Sequence, residues 1–478
     1  MFNSLMGGII MDHFVEKLVS VTPTEKQLNW QALEFTAFIH YGMNTFTDRE
    51  WGVGDEDPAI FNPKALDTDQ WCESLLEAGM KGCIITAKHH DGFCLWNTKY
   101  TKHSVMYSPY QRDIVADLSR SCKKYDLKLG IYLSPWDRHE STYGYGDAYN
   151  DYFCNQLTEL LTNYGEIYTV WFDGACGEGT NGKKQIYDWD RYYALINDLQ
   201  PTAVISVCGP DVRWCGNEAG ECRTSEWSVV PARLADAEKV AEASQKNDEE
   251  EFRHRSIKST DQDLGSRQVL QNEDKLIWYP AEVDTSIRPG WFHHDAEDAK
   301  VRSLEELLNI YFNSVGGNSL LLLNIPPHRD GYITEYDRRR LKEMGDFIKE
   351  AFSHNLIKNA KLSATSSDLD NKIENIVAEN DDYWKAEDYC ERCQISIELK
   401  QDVVIKYIVM QEQIKLSQRI ESFEVLAELD GQYHKIYEGT TVGYKKICRI
   451  TKPIKTQKLL ICFSAFRKSP TLKFLGLY

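Results

Sequence analysis

What most constrains this 478-residue chain is a regular alternation, up to about residue 350, of short β-rich runs with helix-patterned stretches. Such alternation is the pattern of a parallel sheet whose strands are joined by crossover helices. Seven runs read as strands: Phe35 to Gly42, Cys83 to His90, Leu127 to Trp136, Tyr168 to Asp173, Ala203 to Cys208, Trp278 to Asp284 and Ser319 to Ile325. A weaker eighth lies near Arg223 to Trp227. Between them, Asp69 to Ala78, Asp147 to Tyr164, Trp189 to Leu199 and Ser303 to Asn313 carry helical patterning. The last opens on Ser303 and Glu306, the spacing of a capping box. Eight such units in about 300 residues predict an α/β fold of the (β/α)8, TIM-like kind. An open doubly wound sheet would carry a Gly-rich phosphate fingerprint after its first strand, and none stands there.

The texture changes twice. From about Ala235 to Gln268 the chain turns polar, with the run Asp248-Glu249-Glu250-Glu251, as expected of a long surface loop. From about Ser353 it becomes short alternating strands with polar turns, among them Val403 to Met410, Glu421 to Leu429, Lys458 to Phe463 and Thr471 to Leu477. That pattern predicts a β-sandwich. The expected division is therefore a barrel over 1–350 and a β-sandwich over 351–478.

Charge and cysteine usage narrow the function. A net charge of −18 argues against nucleic acid, whose binding rests on Lys and Arg neutralising phosphates. No stretch approaches the roughly 18 apolar residues that span a bilayer, and the N-terminus lacks a basic n-region, so a cytoplasmic protein with no membrane partner is expected. Thirteen cysteines without paired short spacings fit free buried thiols. Cys390 and Cys393 do form a Cys-x-x-Cys, but no second pair or His follows at zinc spacing. Twelve Trp and 26 Tyr exceed what packing usually requires, and aromatic faces suit the apolar face of a sugar.

In a barrel the functional face lies at the C-terminal ends of the strands. That face is loaded with polar groups: His40, then His89, His90 and Asp91, then Tyr132 and Asp137, then Asp173, and later Asp284. Asp173 ends the apolar run Tyr-Thr-Val-Trp-Phe and precedes Gly174. A carboxylate held rigidly there suits a nucleophile attacking a sugar C1. A retaining glycosidase needs a second carboxyl about 5–5.5 Å away. Glu218, in the small-residue loop Trp214 to Gly220, is the candidate; Glu221 and Glu226 are rivals that spacing leaves open. His89 and His90 could also be metal ligands, but neighbours on a strand point to opposite faces and no third ligand pattern accompanies them. Hydrogen bonding to sugar hydroxyls is the better role for them and for Tyr132.

The segments FIHYGMNTF, AKHHDGFCLWNTKYT, GIYLSPW, VWFDGACGEG and SIRPGWF resemble, in order, the barrel motifs of glycoside hydrolase family 29, the α-L-fucosidases. The resemblance covers roughly residues 30 to 330. It implies a fucosylated oligosaccharide or glycoconjugate substrate, net retention of configuration, and neither metal nor organic cofactor. It puts the nucleophile on Asp173, fucose-binding histidines on His40, His89 and His90, and the Tyr after the third strand on Tyr132. Glu50 and Trp51 look like the family's Glu-Trp pair, and Trp291 would be an aromatic wall. RWCGNEAG, Arg213 to Gly220, resembles the branch that cleaves α-1,3 and α-1,4 fucosyl linkages of Lewis-type glycans. That implies Glu218 as acid/base, with its carboxyl raised by burial and by Asp173, and Asp137 and Trp214 on the leaving-group side. The C-terminal region resembles galactose-binding-like modules. The competing expectation is a catalytically silent sugar-binding protein on the same scaffold.

Overall fold

The computed structural model describes residues 13–236, 263–378 and 380–478. Most of the polar stretch from Ala235 to Gln268 lies outside the described residues. Eight parallel strands form a near-closed barrel: β1 (Phe35–Ile39), β2 (Gly82–Lys88), β3 (Lys128–Leu133), β4 (Ile167–Phe172), β5 (Val204–Val207), β6 (Arg213–Trp214), β7 (Ala281–Ser286) and β8 (Ser319–Asn324). Around the wall they run β5-β4-β3-β2-β1-β8-β7-β6. A single parallel bridge from Ser206 to Val212 joins β5 to the entrance of β6.

Two expectations are corrected here. The eighth strand is Arg213–Trp214, not the run near Arg223 to Trp227. Two residues are too few to show any period. The run from Trp278 to Asp284 divides at Pro280, which has no N–H for a ladder. Leu276–Trp278 pairs antiparallel with Val229–Pro231 in a side ribbon, and only Ala281–Ser286 joins the barrel.

Strand alternation sorts the apolar side chains into two cores. Phe38, Ile84, Tyr132, Trp171, Val204 and Leu322 meet inside the barrel. Their neighbours, such as Ala37, Ile85, Ile131 and Val170, face outward onto the helices. Most of those helices start where the sequence supplies a cap. Asp67, Asp113 and Asp188 accept backbone N–H bonds at the starts of Thr68–Glu77, Ile114–Tyr125 and Trp189–Leu199. Ser303 and Glu306 form the expected capping box before Leu304–Ser314. Each cap contributes about 1 kcal/mol. Asp147–Asn163 follows β3, and Glu335–Ala351 follows β8. The repeat breaks at the connection 208–212, which is too short for a helix. Among the described residues no helix is long and apolar enough to cross a membrane.

Beyond the last barrel helix lies an antiparallel sheet domain with its own core, including Trp384, Ile395, Phe423 and Phe463. Its longest strands, Cys393–Gln411 and Lys446–Phe466, pair with a register shift between Glu398 and Val403. The domain is continuous with the barrel: Tyr407 stacks on Phe312 at 5.3 Å, and Val409, Ile447 and Phe474 belong to the barrel's outer core. All thirteen cysteines are free thiols.

Candidate active site

Asp173 follows β4 directly, and its carboxylate is held by two donors, with His90 alongside. Ala175 N–H donates to Oδ1 at 2.8 Å, Tyr132 O–H donates to Oδ2 at 2.8 Å, and His90 Nε2 stands 3.7 Å from Oδ2. It keeps 22% side-chain exposure, all that a rim carboxylate needs to meet a ligand. It lines a pocket of about 630 Å³, open to solvent, with His40, Trp51, His89, His90, Trp171, Trp214, Glu218, Asp284 and Trp291. Among the described residues no Lys or Arg lines it.

Glu218 enters from the loop after β6. Its carbonyl accepts from Thr285 Oγ1 at 2.8 Å, and its carboxylate accepts from Trp291 Nε1 at 3.3 Å. Of the three rival glutamates, only Glu218 reaches the pocket. Glu226 is buried and paired with Arg213, and Glu221 accepts at its carbonyl from Asn217 Nδ2.

The two adjacent histidines do not point to opposite faces, which corrects the sequence reading. β2 ends at Lys88, so His89 and His90 lie in the turn beyond it, where strand alternation no longer applies; both rings face the pocket, 4.1 Å apart. Burial lowers all three imidazoles, His40 and His90 to about 4 and His89 well below its ordinary value, so they are neutral near pH 7.

Their hydrogen-bond partners assign the tautomers. Asn324 Oδ1 takes the Nδ1 proton of His40 at 2.8 Å, because its Nδ2 already donates to Ser286 and Trp291. Ser134 donates to the Trp136 carbonyl and therefore accepts from His90 Nδ1 at 2.7 Å. Asn44 Nδ2 donates to His89 Nδ1 at 3.2 Å. The site thus has acceptor nitrogens at His40 and His90 Nε2 and a donor at His89 Nε2, a mixed set that matches sugar hydroxyls.

His89, His90 and Asp173 also bring ligand atoms within 4.8 Å of one another, the one such group found among the described residues. A cation there would have to displace the His89 Nε2 proton that Asn44 enforces.

Three expected positions turn out differently in detail. Asp137 is not on the leaving-group side. It is fully buried, its carboxylate paired with Lys88 Nζ at 2.8 Å and accepting the N–H groups of His139 and Glu140. That ion pair explains its place: an anion so far from water needs a buried partner. Tyr132 is buried behind Asp173 rather than on the pocket wall. Glu50 does not line the pocket either. It accepts from the N–H groups of Trp291 at 2.8 Å and Phe292 at 3.3 Å.

Sequence reasoning placed Asp284 on the functional face without a role and assigned none to Glu282, Asn324 or Trp171. Burial pushes Asp284 up to about 8 and Glu282 up to about 7, with Trp214 Nε1 donating to Asp284 at 2.7 Å and Trp171 Nε1 to Glu282 at 2.8 Å. Their signal was available: acidic residues two apart on one strand share a face.

The α-L-fucosidase family model matches residues 19–351. Alpha-L-fucosidase 1 of Arabidopsis thaliana is 40% identical over 470 residues, covering 95% of this chain and 87% of that protein. The structure of a Ruminococcus gnavus GH29 fucosidase in complex with fucose superposes with a TM-score of 0.83 at 31% identity, covering 96% of this chain and 95% of that one. A glycoside hydrolase 29 family member from an unknown rumen bacterium gives 0.78 at 36% identity, over 96% and 77% of the two chains. With a family match across most of the chain, a closely related plant enzyme and the same barrel-and-sheet architecture, this chain belongs to the α-L-fucosidase family of glycoside hydrolases.

Proposed function

We propose that this protein is a retaining exo-α-L-fucosidase acting by double displacement, with Asp173 as nucleophile and Glu218 as acid/base. The observation that carries the reading is the convergence of these two carboxyl groups on one pocket walled by four tryptophans and three neutral imidazoles. Asp173, ionised and held by Tyr132 and the Ala175 N–H, attacks the fucosyl C1. Glu218 gives its proton to the departing oxygen, then takes a proton from the water that hydrolyses the fucosyl-enzyme. Apolar sugar faces meet the indoles, and the donor and acceptor nitrogens of His40, His89 and His90 serve the hydroxyls. A pocket whose described lining has no Lys or Arg suits a neutral deoxy sugar.

For the substrate we propose α-1,3- and α-1,4-linked fucose of Lewis-type glycans. Support comes from the loop carrying Trp214 and Glu218, whose sequence resembles that branch, a resemblance that puts Trp214 on the leaving-group side.

The test has two arms. Asp173→Ala should lower turnover of an aryl α-L-fucoside by about 10³-fold or more, and NMR of the first-formed product should show α-fucose. A β-fucose product, or substantial residual turnover, would sink the retaining assignment. Among an aryl fucoside, a 2-linked fucosyl-galactose and a Lewis trisaccharide, preference for the trisaccharide over the 2-linked sugar is expected. The reverse order removes the linkage proposal and leaves the nucleophile untouched.

A further inference from the structure

Beside the pocket lies a cluster of charged groups that the mechanism does not use. His294 is held between two carboxylates: Nδ1 is 2.6 Å from Asp48 Oδ1, and Nε2 is 2.7 Å from Glu50 Oε1. Both nitrogens can donate at once only in the imidazolium. The same Glu50 carboxylate takes the N–H groups of Trp291 and Phe292. Glu297, the other acidic neighbour, accepts the N–H of Gly290 at 3.0 Å. Gly290 lets the backbone approach closely, since a Cβ there would stand 2.6 Å from Glu50 Oε1 and 3.0 Å from His294 Cδ2 and push the clamp aside. The indole of Trp291 in turn donates to Glu218 and packs 5.0 Å from His40, while its carbonyl accepts from Asn324. A continuous chain of polar contacts therefore runs from His294 through Glu50 and Trp291 to Glu218.

We propose that His294 is a positioning residue: clamped between Asp48 and Glu50, it fixes the carboxylate that holds the Trp291 backbone and so sets the Trp291 indole against Glu218. This rests on Glu218 being the acid/base. The hydrogen bond to Glu50, helped by that to Asp48, raises His294 to about 9 against the opposing effect of burial, so the clamp is charged across the neutral range. A charged, doubly bonded imidazolium holds its carboxylate more tightly than a neutral side chain could.

Leaving-group dependence provides the test, because a general acid matters most when the departing oxygen is basic. His294→Ala should lower kcat/KM on phenyl α-L-fucoside by about tenfold or more, yet on 4-nitrophenyl α-L-fucoside by no more than about twofold. His294→Gln should show the same asymmetry and serves if the alanine variant does not fold. Equal losses on both substrates, or none on either, overturn the proposal.

Two controls separate it from the reading beneath it. Glu218→Gln must show the same leaving-group asymmetry more strongly; if it does not, the acid/base assignment falls. The clamp is then judged without catalysis, by NMR titration of His294. An imidazole still charged at pH about 8 supports it, and an ordinary titration near 6.5 removes it.

Discussion

At the scale of single residues, the site is governed by how burial assigns protons. Glu282 is fully enclosed; Trp171 donates to one of its oxygens, and the other has no hydrogen-bond partner. A carboxyl so placed keeps its proton, which is why burial pushes it up to about 7. Both Glu282 and Asp284 titrate higher in the fold than in the unfolded chain. Their favourable contribution is therefore complete below the ordinary carboxylate range and is lost as pH rises through about 7 for Glu282 and about 8 for Asp284. Glu282→Gln keeps the acceptor for Trp171 but never ionises. Its melting temperature should exceed that of the wild type by a margin that widens between pH about 5 and 7 and is level from there to about 9. Scanning fluorimetry across that range checks this, and a margin independent of pH would show Glu282 to be ionised throughout.

At the scale of elements, the sequence was most legible where a strand ran long enough to show its pattern. Trp189–Leu199 is a helix over the span expected, and β4 ends at Phe172, so Asp173 stands at the strand end as read. What resisted reading depended on contacts distant in sequence. The two-residue β6 exists because Arg213 and Trp214 pair with Ala281 and Glu282, and nothing local announces that. Asp137 looked like one more rim carboxylate because its partner, Lys88, sits on a different strand. Lys88 Nζ is wholly buried, bonded to Asp137 at 2.8 Å and to Gln156 at 2.9 Å. The turn it secures also holds the Trp51 loop, through Arg138 to the Gly52 carbonyl and His139 to the Gly54 carbonyl. Lys88→Met leaves Asp137 buried and uncompensated, at a cost of about 3–5 kcal/mol. A fall of several degrees in melting temperature is expected, together with weaker binding of fucose by calorimetry. An unchanged affinity would show that the Trp51 wall stands without this pair.

At the scale of the whole molecule, the sheet domain contributes to the site without entering it. Gln418, fully buried, donates to the Glu226 carbonyl at 3.1 Å and accepts the Ser228 N–H at 2.9 Å, while Thr440 meets Ser225 at 2.9 Å. These bonds tie down the far end of the loop that carries Glu218. Gln418→Ala strands the buried Ser228 N–H, at about 1–3 kcal/mol, while Asn318 Nδ2 still donates to the Glu226 carbonyl at 2.9 Å. It should lower both the melting temperature and the turnover of an aryl fucoside, although Gln418 is no part of the pocket. Turnover equal to the wild type would show that the loop is held without Gln418.

The uneven wall of the barrel sets an order in which this molecule would fail. Asp173 follows a strand laddered on both sides, to β3 and β5. Glu218 follows one of two residues, joined across its other edge by a single bridge. Local opening begins where backbone pairing is sparsest. On gentle warming the seam would part first, taking Glu218, the proposed proton donor, out of reach while the histidines, the indole of Trp171 and Asp173 remained in register. Heat would then turn this hydrolase into a lectin before it unfolded it.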